Sequence, residues 1–218
     1  QPDRMYAQGM RICLICNEYP PAPHGGIGTF VRDLGVQLTR LGYAVAVVGF
    51  DTQVKAAAWS LDGDVRVLRL PLPRSSRWCL RLGRYEISPG FVTEKMVLSN
   101  RAAAAAREFK ADIVESHDWS GPLWRAPMRP LVVRLHGAHT AYEFYEGRRP
   151  SRLLRFAERR NVAMADALAA VSSHIGATTL RALDLEGLKF QVIYNGVDAE
   201  LFRPLPVEQD PLEVLYVG

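Results

Sequence analysis

EYPPAPHGGIGTFVRDLGVQLTRLG, residues 18–42, sets a glycine-rich loop at the start of an amphipathic helix. Ile27, Val31, Leu34, Leu38 and Leu41 recur at intervals of 4, 3, 4 and 3 residues, so all five share one helical face, which is expected to be core. Gly25, Gly26 and Gly28 lack the Cβ that would hold a ligand away from the backbone. The helix N-terminus behind them offers free N–H groups and partial positive charge. Such a corner suits a phosphate; the plainer alternative is that the glycines only permit a turn. The preceding RICLIC, residues 11–16, is an apolar run of strand length, so the unit reads strand, loop, helix.

Working outward, strand candidates at 11–16, 44–50, 65–70, 112–116, 131–135, 167–171 and 191–194 alternate with helix candidates at 27–41, 91–109, 151–164 and 174–183. This alternation predicts an α/β domain, a parallel sheet with helices on both faces. Most of the strands are continuous apolar runs, as expected when both faces are covered. Ligands of such sheets gather at the carboxyl ends of the strands. The polar residues at those ends are Asn17 and Glu18, Asp51, His117 and Asp118, His136, Ser172, and Asn195 with Asp198. RPLPVEQDPL, residues 203–212, carries three prolines and reads as a linker. The apolar EVLYVG beyond it has the character of a first strand of another domain. The predicted division is therefore 1–202 and 203–218.

The chain has 218 residues, 48% of them hydrophobic and 23% charged, which suits one large globular domain. Its formal charge of +4 comes from arginine, since Lys55, Lys95, Lys110 and Lys189 are the only lysines. Arginine favours bidentate contact with phosphates and carboxylates, so an anionic ligand or lipid headgroup fits the composition. No apolar run approaches the roughly 20 residues of a membrane-spanning helix, and a cytoplasmic location is the expectation. Cys13 and Cys16 form a CxxC, but residues three apart on a strand point to opposite faces, which argues against a redox or zinc pair. His136 and His139 lack further ligands in a metal-binding pattern, so no metal is expected.

Several segments, in order, resemble the N-terminal half of glycosyltransferase family 4. They are EYPPAPHGGIGTFVRDLGVQLTRLGYAVAVV, ADIVESHDW, LVVRLHGAH, ERRNVAMADALAAVS, VIYNGVDAELFRP and VLYVG. The resemblance implies a Rossmann-like three-layer domain, the acceptor-side half of a two-domain GT-B enzyme. Such an enzyme moves a sugar from a nucleotide-sugar donor to a sugar or lipid-linked acceptor with retention of configuration. It further implies that 203–218 leads into a donor-binding domain, and that the chain is inactive without that domain. Carried over by position, Gly25, Gly26 and Gly28 match the loop that approaches the donor diphosphate and the acceptor. His24 stands near where some relatives carry a lysine. His117 matches a histidine that contacts the transferred sugar and is the catalytic candidate. Asp118, His136, Asn195 and Asp198 join the glycines as substrate-binding candidates, with Asp118 and Trp119 also suited to shaping the loop, and Asn195 and Asp198 to forming a turn. No metal or other cofactor is implied, the family being usually metal independent, and no protein nucleophile is implied, because the leaving diphosphate itself takes the acceptor proton. Asp62-Gly63-Asp64 imitates a metal-binding Asp-x-Asp but reads as a turn before a strand.

Two arginine clusters are either solvated faces or docking surfaces for an anionic membrane or phosphorylated acceptor. One is Arg74, Arg77, Arg81 and Arg84; the other is Arg148, Arg149, Arg152, Arg155, Arg159 and Arg160. No nucleic-acid partner is expected. The rival reading is a nicotinamide-dependent oxidoreductase, with Gly26-Ile27-Gly28 and Val31 approximating GxGxxG and Asp51 on a ribose. Eight residues with two adjacent prolines between Cys16 and Gly25 make that loop too long for the tight pyrophosphate turn. A stand-alone sugar or phosphate binder is the remaining alternative, and the lack of GxSxG disfavours a hydrolase elbow.

Overall fold

The computed structural model describes residues 9–22, 25–81 and 88–203. Seven parallel strands form as the apolar runs require: β1 (Arg11–Ile15), β2 (Ala44–Asp51), β4 (Val65–Pro71), β5 (Ile113–His117), β6 (Leu131–Leu135), β7 (Ala167–Ala170) and β8 (Gln191–Val192). An eighth strand, β3 (Ala58–Asp62), pairs antiparallel with β4 at the sheet edge. The strand order is β3-β4-β2-β1-β5-β6-β7-β8, so the chain reverses its direction of growth between β1 and β5. A crevice at the carboxyl ends of those two strands is where such sheets hold ligands.

β3 is not legible as a strand because it is short, is interrupted by Ser60 and ends on Asp62, and most of its residues stay exposed. Its hairpin is set by Gly63, whose φ of +58° supplies the turn conformation that L side chains rarely adopt. Asp62 at that turn accepts hydrogen bonds from the Arg32 guanidinium at 2.8 Å and the Tyr19 hydroxyl at 3.0 Å. The Asp-Gly-Asp is therefore a structural turn.

The helices are α1 (Gly26–Arg40), α2 (Arg74–Arg81), α3 (Pro89–Phe109), α4 (His139–Tyr145), α5 (Arg152–Ala163) and α6 (Ser173–Ala182). α1 covers one face of the sheet, where Val31 joins Ile12, Leu14, Cys16, Val45 and Val47 in one core cluster. α3, α5 and α6 cover the other: Leu98, Ala102, Val162 and Leu180 pack with Cys13, Ile15, Val48 and Phe50. Cys13 and Cys16 thus fall in opposite layers, and burial pushes both thiols up to about 12. Leu41 departs from the expected core face. It is the C-cap residue of α1, past the last helical turn, and 67% exposed.

α2 and α4 have no apolar periodicity long enough to announce them. α2 is held instead by a glycine: a Cβ on Gly90 would lie 2.9 Å from Cys79 Sγ, so α2 and α3 meet there at close range. The Ser76 hydroxyl donates to the Gly90 carbonyl at 2.9 Å across the same contact. α3 begins at Pro89, earlier than the apolar pattern suggests, because Ser88 caps it and proline is suited to a first helical turn. His24, Arg84, residues 204–218 and the strand predicted at their end lie outside the described residues.

Candidate functional site

The loop leaving β1 is pinned before it reaches α1. The Asn17 side chain accepts from Phe50 N–H at 2.9 Å. A Cβ on Gly49 would lie 1.7 Å from the Cys16 carbonyl oxygen, so only glycine lets the strands lie this close. Arg69 donates to the carbonyl of Tyr19 at 3.2 Å and pairs with Asp51 at 3.3 Å. The carboxylate of Asp51 also accepts from Gln53 N–H at 2.8 Å, so it is spent on the scaffold rather than free for a ribose.

At the helix start the Gly25 N–H donates to a Glu18 carboxylate oxygen at 3.2 Å. No side chain caps α1, and its first turn holds no acidic residue. None of Gly25, Gly26 and Gly28 uses a positive φ. Their value is space: a Cβ on Gly26 would meet nothing within 4 Å, leaving its front open to an arriving ligand, while Gly28 is buried.

β5 ends on His117 and β6 delivers His136 just past its own end. His117 is buried, and both its ring nitrogens lack a hydrogen-bond partner. Burial, reinforced by nearby His136 and Lys95, pushes its imidazole down to about 3. His136 is likewise pushed down to about 4, by burial and then by Arg134. Both rings are therefore neutral near pH 7, each able to donate at one nitrogen and accept at the other. The His136 ring meets Phe30 of α1 edge-on at 5.0 Å. Arg134, buried one turn of the strand earlier, pairs with Glu115 at 2.6 Å and lies 4.9 Å from the Phe30 ring centre.

Asp118 turns inward, onto the loop after β6. It is fully buried, and its two carboxylate oxygens accept the N–H groups of His136 at 3.0 Å and Gly137 at 3.1 Å. Burial raises it to about 7, with these amides pulling the other way and Glu158 adding to the rise. Its work is to join the loop after β5 to the loop after β6.

α5 completes this joint with two residues of the ERRNVAMADALAAVS segment that have no role in the sequence reading. Glu158, fully buried, accepts from Ser120 N–H at 2.8 Å, His139 N–H at 2.8 Å and Thr140 N–H at 3.0 Å. Asn161 donates to the His117 carbonyl at 2.8 Å and accepts from Leu123 N–H at 3.2 Å. Standing at i and i+3 at the start of that segment, they share a helix face, and this spacing is the signal that could have found them. Gly121, at φ +51°, lets the β5 loop lie on α5: a Cβ there would sit 2.5 Å from the Ala157 backbone.

Trp119 stacks on His139 at 4.9 Å and meets Tyr142 edge-on at 5.6 Å. Among the described residues no group of three or more His, Cys, Asp or Glu side chains is placed to hold a metal. Asn195 and Asp198 are exposed beyond β8, and neither hydrogen-bonds to the histidines. Asp198 accepts from Glu200 N–H at 3.0 Å and Leu201 N–H at 3.2 Å, closing a local turn.

Fold and site together define a Rossmann-like α/β domain with a polar, histidine-bearing crevice at its switch point. The family model of the Glycosyl transferase 4-like domain matches residues 25–196, and the chain belongs to that family. It is 25% identical over 230 residues to a glycogen synthase of Mycobacterium tuberculosis, covering 96% of this chain and 54% of the relative. It is 27% identical over 207 residues to an alpha-maltose-1-phosphate synthase of Mycolicibacterium smegmatis, covering 89% of this chain and 46% of the relative. A solved trehalose-6-phosphate synthase shares the fold at a TM-score of 0.52 and 14% identity, over 90% of this chain and 52% of that one. The chain spans about half the length of the curated relatives it matches. Family membership sets aside the oxidoreductase reading, in agreement with the committed carboxylate of Asp51. No described helix is long and apolar enough to cross a membrane.

Proposed function

We propose that this chain is the acceptor-side, N-terminal domain of a retaining glycosyltransferase, one that moves a sugar from a nucleotide-sugar donor to a sugar or lipid-linked acceptor. Residues 1–202 form that domain in this reading, and 203–218 lead into a donor-binding domain needed for turnover. The observation that carries the proposal is the state of His117. Asn17, Asp51, Asp118 and Ser172, polar residues near neighbouring strand ends, are engaged in hydrogen bonds within the fold. Both ring nitrogens of His117 are left buried and unmatched. Buried polar atoms are rarely left so, and a hydroxyl, which donates and accepts as a neutral imidazole does, is a fitting partner.

The chemistry assigned to the site needs no protein nucleophile. The acceptor oxygen attacks the sugar from the side on which the diphosphate leaves, the glycosidic bond to the diphosphate breaks, and a diphosphate oxygen takes the acceptor proton. The chain contributes position and polarity: His117 holds a hydroxyl of the transferred sugar, and Gly25 and Gly26 admit the diphosphate or acceptor to the open start of α1. His136 lines the same crevice, while Asp118 fixes the loops. No metal has a role, and the reading places the reaction in the cytoplasm, with any contact at the inner membrane face peripheral. In the protein extended past Gly218, His117→Ala should lower turnover by about 10²-fold, the scale for losing one preorganised polar contact. Wild-type turnover in that variant would remove His117 from the reaction.

A further inference from the structure

At the opposite, amino edge of the sheet, a groove of about 390 Å³ lies between the segment entering β6 and the C-terminal half of α5. Arg125, Arg129, Arg159 and Arg160 line it, and Ala126 and Met164 are among its apolar lining. Among the described residues, one of the four arginines faces a carboxylate. Arg129 pairs with Asp166, whose other oxygen is taken by Leu131 N–H at 2.8 Å. Arg125 donates to the neutral Asn100 side chain, and Arg160 uses its Nε on the Trp124 carbonyl at 2.6 Å. Arg159 forms no ion pair among the described residues.

Like charges gathered without counter-charge repel one another, so this arrangement stores affinity for an anion. Arg125 and Arg160 are also held in place. Trp124 N–H and Arg125 N–H both donate to Ser99 Oγ, at 2.9 and 3.3 Å. The Arg160 guanidinium lies 5.2 Å from the Trp124 ring centre, and Trp124 in turn packs on Phe156. With one Arg160 nitrogen fixed on a carbonyl, its terminal nitrogens remain for a ligand. Guanidinium forks match phosphate oxygens bidentately, and the apolar lining accommodates the organic part of a phosphate ester. We propose that this groove is a second binding site, for a phosphomonoester or diphosphate group, separate from the crevice at His117. The binding is independent of the glycosyl-transfer reading.

The test is calorimetric titration of the 218-residue chain in about 0.15 M salt, where long-range charge attraction is screened. The probes are inorganic pyrophosphate and glucose 6-phosphate, with flotation on phosphatidylcholine vesicles with and without phosphatidic acid as a parallel arm. Arg125→Gln/Arg159→Gln should weaken binding by about 10-fold or more, the loss expected for charge-assisted hydrogen bonds. Arg74→Gln/Arg77→Gln removes the same charge from exposed arginines of α2 and should leave binding unchanged. Arg159→Lys, which keeps the charge but not the fork, should fall between. Binding of the soluble probes assigns the site to a free phosphorylated molecule. Binding only to phosphatidic acid vesicles, lost in the groove variant, assigns the same site to a lipid-borne phosphate. Absence of binding to every probe, or equal losses in the groove and α2 variants, overturns the proposal.

Discussion

His117 shows how a single buried side chain links stability to pH. Its unfolded pKa near 6.5 falls to about 3 in the fold, so between those values the unfolded chain binds a proton that the folded chain refuses. Stability contributed by the neutral ring is present above pH 6.5 and is lost as pH falls towards 3, and His136 acts in the same sense down to about 4. Asp118 works oppositely: raised to about 7, it binds its proton more tightly folded than unfolded, and its contribution declines as pH rises from 3.8 to 7. Glu158, also raised by burial, acts with Asp118, so between pH 6 and 4 two histidines that weaken the fold on acidification oppose two carboxyls that strengthen it, and the slope of stability against pH is their difference. His117→Gln should remove about 1.4 kcal/mol per pH unit from that slope. Urea denaturation at a series of pH values checks this, and an unaltered slope would mean that His117 takes up protons in the fold. The strand-end position of this histidine was legible because it closes an apolar run. The loop-shaping role of Asp118 was legible beside a substrate-binding one, but its partner was not, since the letters His-Asp-Trp give no sign that the carboxylate turns towards the loop after β6.

At the scale of elements, the strand–loop–helix unit and the seven parallel strands announced themselves through apolar runs and helical spacing. β3, α2 and α4 did not, because each is fixed by something outside its own apolar pattern: a turn glycine, a glycine contact with α3, and the buried carboxylate of Glu158. α5 carries the least legible function, since its two loop-holding residues sit among arginines in ERRN and only the folded helix turns them inward. Glu158→Ala should leave three buried N–H groups without their acceptor and lower stability by about 2–3 kcal/mol or more. A melting temperature within a degree of wild type, read by circular dichroism, would show that water replaces the carboxylate at no cost. Gly121→Ala should cost about 2–4 kcal/mol, from a positive φ and a Cβ 2.5 Å from the α5 backbone. The expected signature is a lower urea midpoint with an unchanged m-value. A change in m instead would point to a loop that rearranges rather than strains.

For the whole molecule, the proposed function makes this domain one wall of a reaction site. One wall is built: a helix start open at Gly26, a pair of neutral histidines, and two loops locked together by Asp118, Glu158 and Asn161. On the proposed function the substrates' own groups do the chemistry and this scaffold positions them. The domain alone should therefore bind nucleotide sugars weakly. The most direct measurement is transfer itself, followed by NMR of the product anomer with a panel of nucleotide sugars and saccharide acceptors, on the 218-residue chain and on the protein extended through the residues after Gly218. The account predicts no transfer by the chain, transfer by the extended protein with the donor's anomeric configuration kept, and loss of that transfer in His117→Ala. An inverted product, or full turnover by the chain alone, would contradict it.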